Sequence, residues 1–388
     1  MTQPTPVDMG QPWQEQPPPP APRRRRRGAA IAVGVGAVAA GAALALGINA
    51  ATGGQTAVIS GRGSAATTSN PAEPAADTTG QATSAQQVGV VDIDTVLKYQ
   101  GARAAGTGMV ISSSGEVLTN NHVVNGATSI KVTVVSTGAT YTATVVGTDP
   151  TDDVAVLQLQ NASGLQTVRI GDSSTVAAAD QITVVGNAGG VGGTPSAATG
   201  TVVATGQSLT ASDENGTNAE TLTDMIEINA AVISGDSGGP LYDSDGKVIG
   251  MDTAASSGRT FGGASATSST VAYAIPINRA LGIAAKIESG HETSTIHIGN
   301  PAFLGISSVD TVRGVVVAGV ADGSPAARAG LSAGDVITSV GGTAVQSAES
   351  VSSAIKSHSP GDRVTVTWTD TAGTSHSATV TLATGPAD

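Results

Sequence analysis

The 388 residues contain no cysteine. That excludes disulfides, thiol catalysis and cysteine-based zinc sites, but it leaves the compartment open, because exported proteins need not be cross-linked. Aromatic residues are almost as scarce, with two Trp, four Tyr and two Phe. Any core must therefore be built from Val, Ile, Leu and Ala. Only 12% of the chain is charged. Residues 1–50 hold five arginines against Asp8 and Glu15, a balance of +3, so of the -12 carried overall the remainder holds -15. An acidic body argues against nucleic acid as a partner. Histidine is scarce too: of five, His122 alone falls between residues 50 and 290, and His291, His297, His358 and His376 all lie beyond. Nothing calls for a metal or an organic cofactor.

What is present divides the chain. Residues 1–22 are rich in Pro and Gln, with Pro17 to Pro20 in succession, and have too few apolar side chains for a core. With Arg23 to Arg27 they make a disordered tail, residues 1–27. Residues 28–48 carry no charge and no strongly polar side chain. As a helix this stretch would be about 31 Å long, enough for a bilayer core of about 30 Å. The arginines on its N-terminal flank place that end in the cytoplasm. The competing reading is a signal peptide cleaved near residues 48–51. Either way the rest of the chain lies outside the membrane. Residues 49–87, rich in Thr, Ser, Ala and Gly, read as a flexible tether.

From residue 88 short apolar or alternating runs recur every 8–15 residues: 108–111, 129–135, 140–146, 154–159, 181–185, 200–204, 225–228, 247–251 and 271–275. Gly, Asn, Asp and Ser turns separate them. This spacing predicts a mainly β architecture, a sandwich or barrel. Residues 276–289 read as one amphipathic helix stopped by Gly290.

Residues 233–241 read Ile-Ser-Gly-Asp-Ser-Gly-Gly-Pro-Leu. A serine on a glycine-rich turn suits an exposed nucleophile. Gly235 allows a tight turn with its N–H inward, and Gly238 and Gly239 leave room for a substrate backbone. A free hydroxyl is a poor nucleophile and needs a base, oriented by a third group. His122 is the base nearly by elimination. Residues 147–157 offer Asp149, Asp152 and Asp153. Asp149 precedes a proline and reads as a turn residue, whereas Asp153 opens the apolar run 154–159 and can be partly buried. The order His122, Asp153, Ser237 is that of chymotrypsin rather than subtilisin or the α/β-hydrolases.

These segments resemble the HtrA/DegP serine proteases. The matching stretches are 106–111 (Gly-Thr-Gly-Met-Val-Ile), 119–124 (Thr-Asn-Asn-His-Val-Val), 149–157, 184–187 (Val-Val-Gly-Asn), 235–240 and 273–276 (Tyr-Ala-Ile-Pro). With the apolar segment 28–48, the chain resembles the membrane-anchored type of high-GC Gram-positive bacteria, and 13 Arg against 5 Lys agrees with such a genome. The resemblance implies a chymotrypsin-like double β-barrel over 88–290, a linker over 291–300 and a PDZ domain, β with short helices, over 301–388. Residues 323–337 (Gly-Ser-Pro-Ala-Ala-Arg-Ala-Gly-Leu-Ser-Ala-Gly-Asp-Val-Ile) carry the PDZ likeness.

It further implies an extracytoplasmic endopeptidase acting on misfolded or specific envelope proteins, as in protein quality control and stress response. The alternatives are a regulatory protease of one signalling partner, or a chaperone or scaffold with conditional activity. The oxyanion hole would be built at Gly235, Asp236 and Ser237. Ala231, Val232 and Ile233 would line an apolar specificity pocket favouring small or medium aliphatic residues. Leu304, Gly305 and Ile306 would hold a peptide's C-terminal carboxylate, with Val351 and Ile355 along the groove. A homotrimer through residues 88–101, with Tyr99 as its aromatic, also follows. The family usually has Asn at Asp236, whereas trypsin has Asp there and pairs it with a new N-terminus. An unpaired Asp236 would be costly. It is either an ordinary hydrogen-bonded loop carboxylate or the mark of a conditionally ordered oxyanion loop. The glycine- and serine-rich stretch 256–270 either regulates the site or is plain linker.

Overall fold

A computed structural model describes residues 79–212, 219–255 and 271–387. The tail, the apolar segment 28–48, most of the tether and the stretch 256–270 lie outside the described residues. Among the described residues no helix is long and apolar enough to cross a membrane.

The described chain opens with β1 (Thr79–Gln81). Six strands follow: β2 (Val90–Leu97), β3 (Ala102–Val110), β4 (Glu116–Thr119), β5 (Ser129–Val134), β6 (Thr140–Asp149) and β7 (Val154–Leu159). A one-turn helix α1 (Asn121–Val124) sits between β4 and β5. The order β6-β5-β2-β3-β4-β7 closes through β6–β7 into a six-stranded barrel. Its interior is aliphatic, with Ile93, Val117, Val132 and Leu157 wholly out of solvent. Burial of each such side chain contributes about 1.5–3 kcal/mol, which offsets the missing aromatics.

The second barrel is β8 (Gln181–Gly186), β9 (Ser196–Ser212), β10 (Ala219–Asn229), β11 (Pro240–Tyr242), β12 (Val248–Ala255) and β13 (Val271–Pro276). It closes through β8–β9. Helix α2 (Ile277–Glu288) buries Ile277, Ala280, Ile283, Ala284 and Ile287, the i, i+3, i+4 face of an amphipathic helix. The expected double barrel is thus present. Strands β2, β4 and β11 were not among the apolar runs singled out in the sequence.

Two boundaries move. β1 pairs with β9, Thr79 opposite Ala198 and Gln81 opposite Ser196, so the tether cannot extend to residue 87. The backbone hydrogen bonds of an edge strand hold that stretch on the second barrel. Within the linker 291–300, β14 (His297–Ile298) pairs with β6, which ties the linker to the first barrel.

The third unit contains β15 (Ala302–Phe303), β16 (Ile306–Thr311), β17 (Gly314–Val320), α3 (Pro325–Ala329), β18 (Val336–Val340), β19 (Thr343–Ala344), α4 (Ala348–Lys356), β20 (Arg363–Thr369), β21 (Ser375–Thr381) and β22 (Ala383–Thr384). Ser324 caps α3 and Ser347 closes a reciprocal capping box on α4. Its core includes Leu304, Val317, Ile337, Val366 and Trp368. The last residues return to the first barrel: Gly126 N–H donates to the Ala387 carbonyl at 2.7 Å and Ala387 N–H to the Ala127 carbonyl at 3.0 Å. Tyr99, expected at a trimer contact, lies against Phe303 with ring centroids 4.8 Å apart.

Candidate active site

α1 carries His122 from the first barrel. Asp153 stands in the turn before β7 with φ of 53°, a left-handed value unusual for a side-chain-bearing residue. That turn aims its buried carboxylate at His122. The His122 Nδ1 lies 3.0 and 2.9 Å from the two carboxylate oxygens, and the His122 backbone N–H donates to Oδ1 at 3.0 Å. Two donors from one residue fix both the ring and its turn. The Asn120 amide donates to the Asp153 carbonyl at 3.0 Å, and the Thr253 hydroxyl donates to Oδ2 in a short bond. The other two aspartates serve elsewhere: Asp149 accepts the Asp152 N–H at 3.3 Å, and Asp152 pairs with Arg279.

Ser237 lies on the turn before β11, in the second barrel. Its carbonyl accepts the Thr107 N–H at 2.9 Å, and its hydroxyl donates to the Thr253 carbonyl at 3.1 Å. Thr107 joins the two barrels here. Its hydroxyl donates to the Gly235 carbonyl at 2.7 Å and accepts the Asn187 N–H at 2.8 Å. The Ser234 carbonyl is held by Gly189 N–H at 2.7 Å. In a trans peptide the N–H points opposite its carbonyl, so Gly235 N–H faces away from the Gly189 loop. Among the described residues neither Gly235 N–H nor Ser237 N–H has an acceptor. Asp236 N–H, by contrast, donates to the Ile233 carbonyl at 3.1 Å. Of the three residues expected at an oxyanion hole, Asp236 thus has its N–H already committed, and Gly235 and Ser237 do not.

The glycines of this turn serve the barrels. A Cβ on Gly238 would stand 2.1 Å from the Thr107 carbonyl oxygen, and one on Gly239 would stand 2.3 Å from that of Val185. The room they leave is filled by neighbouring strands, not by a substrate backbone.

Asp236 is buried, and among the described residues no cation pairs with it. Its Oδ2 accepts the Ile233 N–H at 3.0 Å and its Oδ1 the Ser196 hydroxyl at 3.4 Å. Burial outweighs these bonds and pushes its carboxyl up to about 6. The reading of an ordinary hydrogen-bonded loop carboxylate fits its partners. Asp252 on β12 is wholly buried, and burial, then the Asp236 charge, raise its carboxyl well above the usual range.

The three pocket residues do not share a face. Val232 is buried in the second-barrel core with Ile226 and Ile228, Ala231 packs against that core, and Ile233 is 53% exposed. Val232 is thus withdrawn from any specificity pocket. Leu304, Gly305, Ile306, Val351 and Ile355 do converge, lining a cleft of about 340 Å³ together with Gln100 and Gly126 of the first barrel and Ala387. Leu304, Val351 and Ile355 also belong to the core of the unit. Leu304 and Gly305 N–H find no acceptor among the described residues. Among the described residues no three His, Asp or Glu side chains gather as a metal site.

Sequence reasoning missed Thr107, Thr253 and Asp252. Thr107 lies within the matching stretch 106–111, but its bond to Gly235 spans 128 residues and that of Thr253 to Asp153 spans 100, and Asp252 shows its burial only in the fold.

Residues 106–251 match the trypsin-like peptidase domain and residues 302–380 match the PDZ domain. A solved HtrA-type protease, AlgW with a tripeptide, is 27% identical with a TM-score of 0.44, covering 79% of this chain and 98% of that one. Serine protease PepD of Mycobacterium tuberculosis is 34% identical over 302 residues, 76% of this chain and 63% of that protein. Periplasmic serine endoprotease DegP of Escherichia coli is 34% identical over 272 residues, 68% of this chain and 54% of that protein. The chain thus matches between about half and two thirds of the length of these relatives. On the two domain matches and these relatives, the chain belongs to the HtrA/DegP family of serine proteases, a trypsin-like peptidase domain followed by a PDZ domain.

Proposed function

We propose that the chain is a serine endopeptidase working outside the cytoplasmic membrane, with His122, Asp153 and Ser237 as its catalytic residues. One observation carries this reading. A histidine is clamped through Nδ1 by a buried aspartate, and Thr253 ties that aspartate, through its hydroxyl, to Ser237, through its carbonyl, while among the described residues the N–H groups of Gly235 and Ser237 lack acceptors. With Nδ1–H on Asp153, Nε2 is the basic nitrogen. The Ser237 hydroxyl turns from the Thr253 carbonyl to that nitrogen, giving up a bond worth about 0.5–1.5 kcal/mol. Oγ then attacks a peptide carbonyl as His122 takes the proton. The oxyanion forms against Gly235 and Ser237 N–H, each such donor being worth about 3 kcal/mol of transition-state stabilisation in the subtilisin precedent. His122 passes the proton to the leaving amine, and water repeats the sequence on the acyl-enzyme.

Residues 28–48 would anchor the chain, with residues 1–27 in the cytoplasm and the two folded units outside. Unfolded or specific envelope proteins are the substrates in this reading, and cleavage follows small or medium aliphatic residues. A trimer through residues 88–101 would keep Tyr99 on Phe303 and use the rest of β2. Degradation of casein by a fragment beginning before Thr79, beside Ser237→Ala, tests the activity. Loss in the variant supports the reading, and equal activity in both overturns it.

A second reading, a regulated protease, is favoured by the cleft that the Leu304–Ile306 loop shares with Gln100 and Gly126. A C-terminal peptide seated there would touch both units. Stimulation of casein cleavage by such a peptide, lost on mutating Gly305, supports it; an unchanged rate sinks it.

A further inference from the structure

Among the described residues Asp252 stands out as the wholly buried carboxyl neither of whose oxygens has a hydrogen-bond partner. Two carboxylates buried together without a cation repel, and the usual escape is for one to keep its proton. Asp236 is bound like an anion: it accepts Ile233 N–H and the Ser196 hydroxyl. Asp252 accepts nothing, which suits the neutral partner.

The main chain links this residue to the nucleophile. Gly238 N–H donates to the Asp252 carbonyl at 2.8 Å and Asp252 N–H to the Gly239 carbonyl at 2.9 Å. Asp236 in turn closes the turn on itself, since its carboxylate accepts Ile233 N–H while the Ile233 carbonyl accepts Asp236 N–H. That closure presents the Gly235 and Ser237 N–H groups.

We propose that Asp252 is a positioning residue, a proton-bearing carboxyl that leaves Asp236 as the only charged member of this buried pair and so keeps the oxyanion turn closed. It acts through Asp236 and touches no reacting atom, and the inference rests on the serine endopeptidase reading. When Asp252 ionises, repulsion drives Asp236 off Ile233 N–H and the turn opens. Activity is lost on the alkaline side as the pair gives up its last proton. The pair titrates as a unit, with both carboxyls raised by burial.

Other ionisable groups around β12 are accounted for. Asp153 and His122 bind each other and reach β12 through Thr253. The neighbouring strands β11 and β13 bring Tyr242, whose hydroxyl donates to the Gln86 carbonyl at 3.0 Å, and Tyr273. Helix α2 brings Arg279, committed to Asp152, with Lys286 and Glu288. None of these bonds to the Asp252 carboxyl.

The test uses the full chain in detergent. The kcat/KM of the wild type against pH should show a descending alkaline limb of about tenfold per pH unit. Asp252→Asn, a neutral isostere, should remove that limb, while Asp252→Glu should keep it. A limb that stays unchanged in Asp252→Asn overturns the proposal. A second measurement needs no activity. Difference infrared spectra of Ser237→Ala at pH 7 should show a protonated carboxylic acid band that Asp252→Asn abolishes. No such band, or one insensitive to Asp252→Asn, also overturns it. Should the endopeptidase reading itself fail, activity is missing at every pH while the infrared band still reports on Asp252.

Discussion

Gly235→Ala is the sharpest perturbation of the oxyanion turn. Gly235 has φ of 101° and no room on its Cα: a Cβ would stand 2.2 Å from the Asn187 carbonyl oxygen and 2.8 Å from Gly190 N. Left-handed strain for a non-glycine costs about 1–3 kcal/mol, and forcing the neighbours apart costs a similar amount again. The turn relieves both by rotating the Ser234–Gly235 peptide, which breaks the bond from Gly189 N–H to the Ser234 carbonyl and takes Gly235 N–H out of the site. Loss of one oxyanion donor lowers kcat about 10²–10³-fold. KM for a casein-derived peptide should hardly move, because the donor acts on the transition state. Gly189→Ala is the control. Gly189 has φ of 74° but nothing within 4 Å of its Cβ position. It should lose about 1 kcal/mol of stability from the backbone alone and keep kcat within a few-fold. Steady-state kinetics with a thermal melt on each variant would decide. If Gly235→Ala and Gly189→Ala lose kcat equally, Gly235 N–H is not the oxyanion donor.

Asp236→Asn should gain stability with rising pH. Burial raises this carboxyl from 3.8 to about 6, so its stabilising contribution is complete below about pH 4 and is lost as pH rises through about 6. The amide can still accept Ile233 N–H, so the difference in unfolding free energy between variant and wild type should widen from pH 4 to pH 7, by at most about 3 kcal/mol; a pH-independent difference refutes this. Gly305→Ala should abolish binding of C-terminal peptides in a calorimetric titration while casein cleavage survives, because its Cβ would meet Ser324 Cβ at 2.1 Å. Retained peptide affinity would refute the carboxylate-loop assignment. Deletion of residues 385–388 removes both bonds between Ala387 and the first barrel, about 0.5–1.5 kcal/mol each. Scanning calorimetry should then show the PDZ unit melting separately, and an unchanged single transition would count against a role for the tail.

The site was legible where its chemistry is local. A glycine-rich turn announces Ser237, scarcity singles out His122, and a strand entrance selects Asp153 from three aspartates. The helix at 277–288 was legible from its apolar face. Contacts across the barrels were not. Thr253 reads as an ordinary strand residue, and its bond to Asp153 spans 100 residues. Asp252 reads as a polar position of β12, and only its surroundings show it buried without partners. β2 was obscured by Asp92, Asp94 and Thr95, which break its apolar run, although Asp92 is buried and raised to about 6 by that burial. β1 and β14 are two or three residues long and exist only through pairing with distant strands. Val232 looked like a pocket residue because proximity to Ser237 in sequence does not say which face of the chain is turned to the core.

The central claim is that Ser237 is a nucleophile activated by His122. Mass spectrometry after reaction with a fluorophosphonate probe tests it without knowledge of the natural substrate. The account predicts a single adduct on Ser237 in the wild type, lost in Ser237→Ala and reduced at least about 100-fold in rate in His122→Ala. Labelling at another residue, or labelling of Ser237 at the same rate without His122, would contradict it.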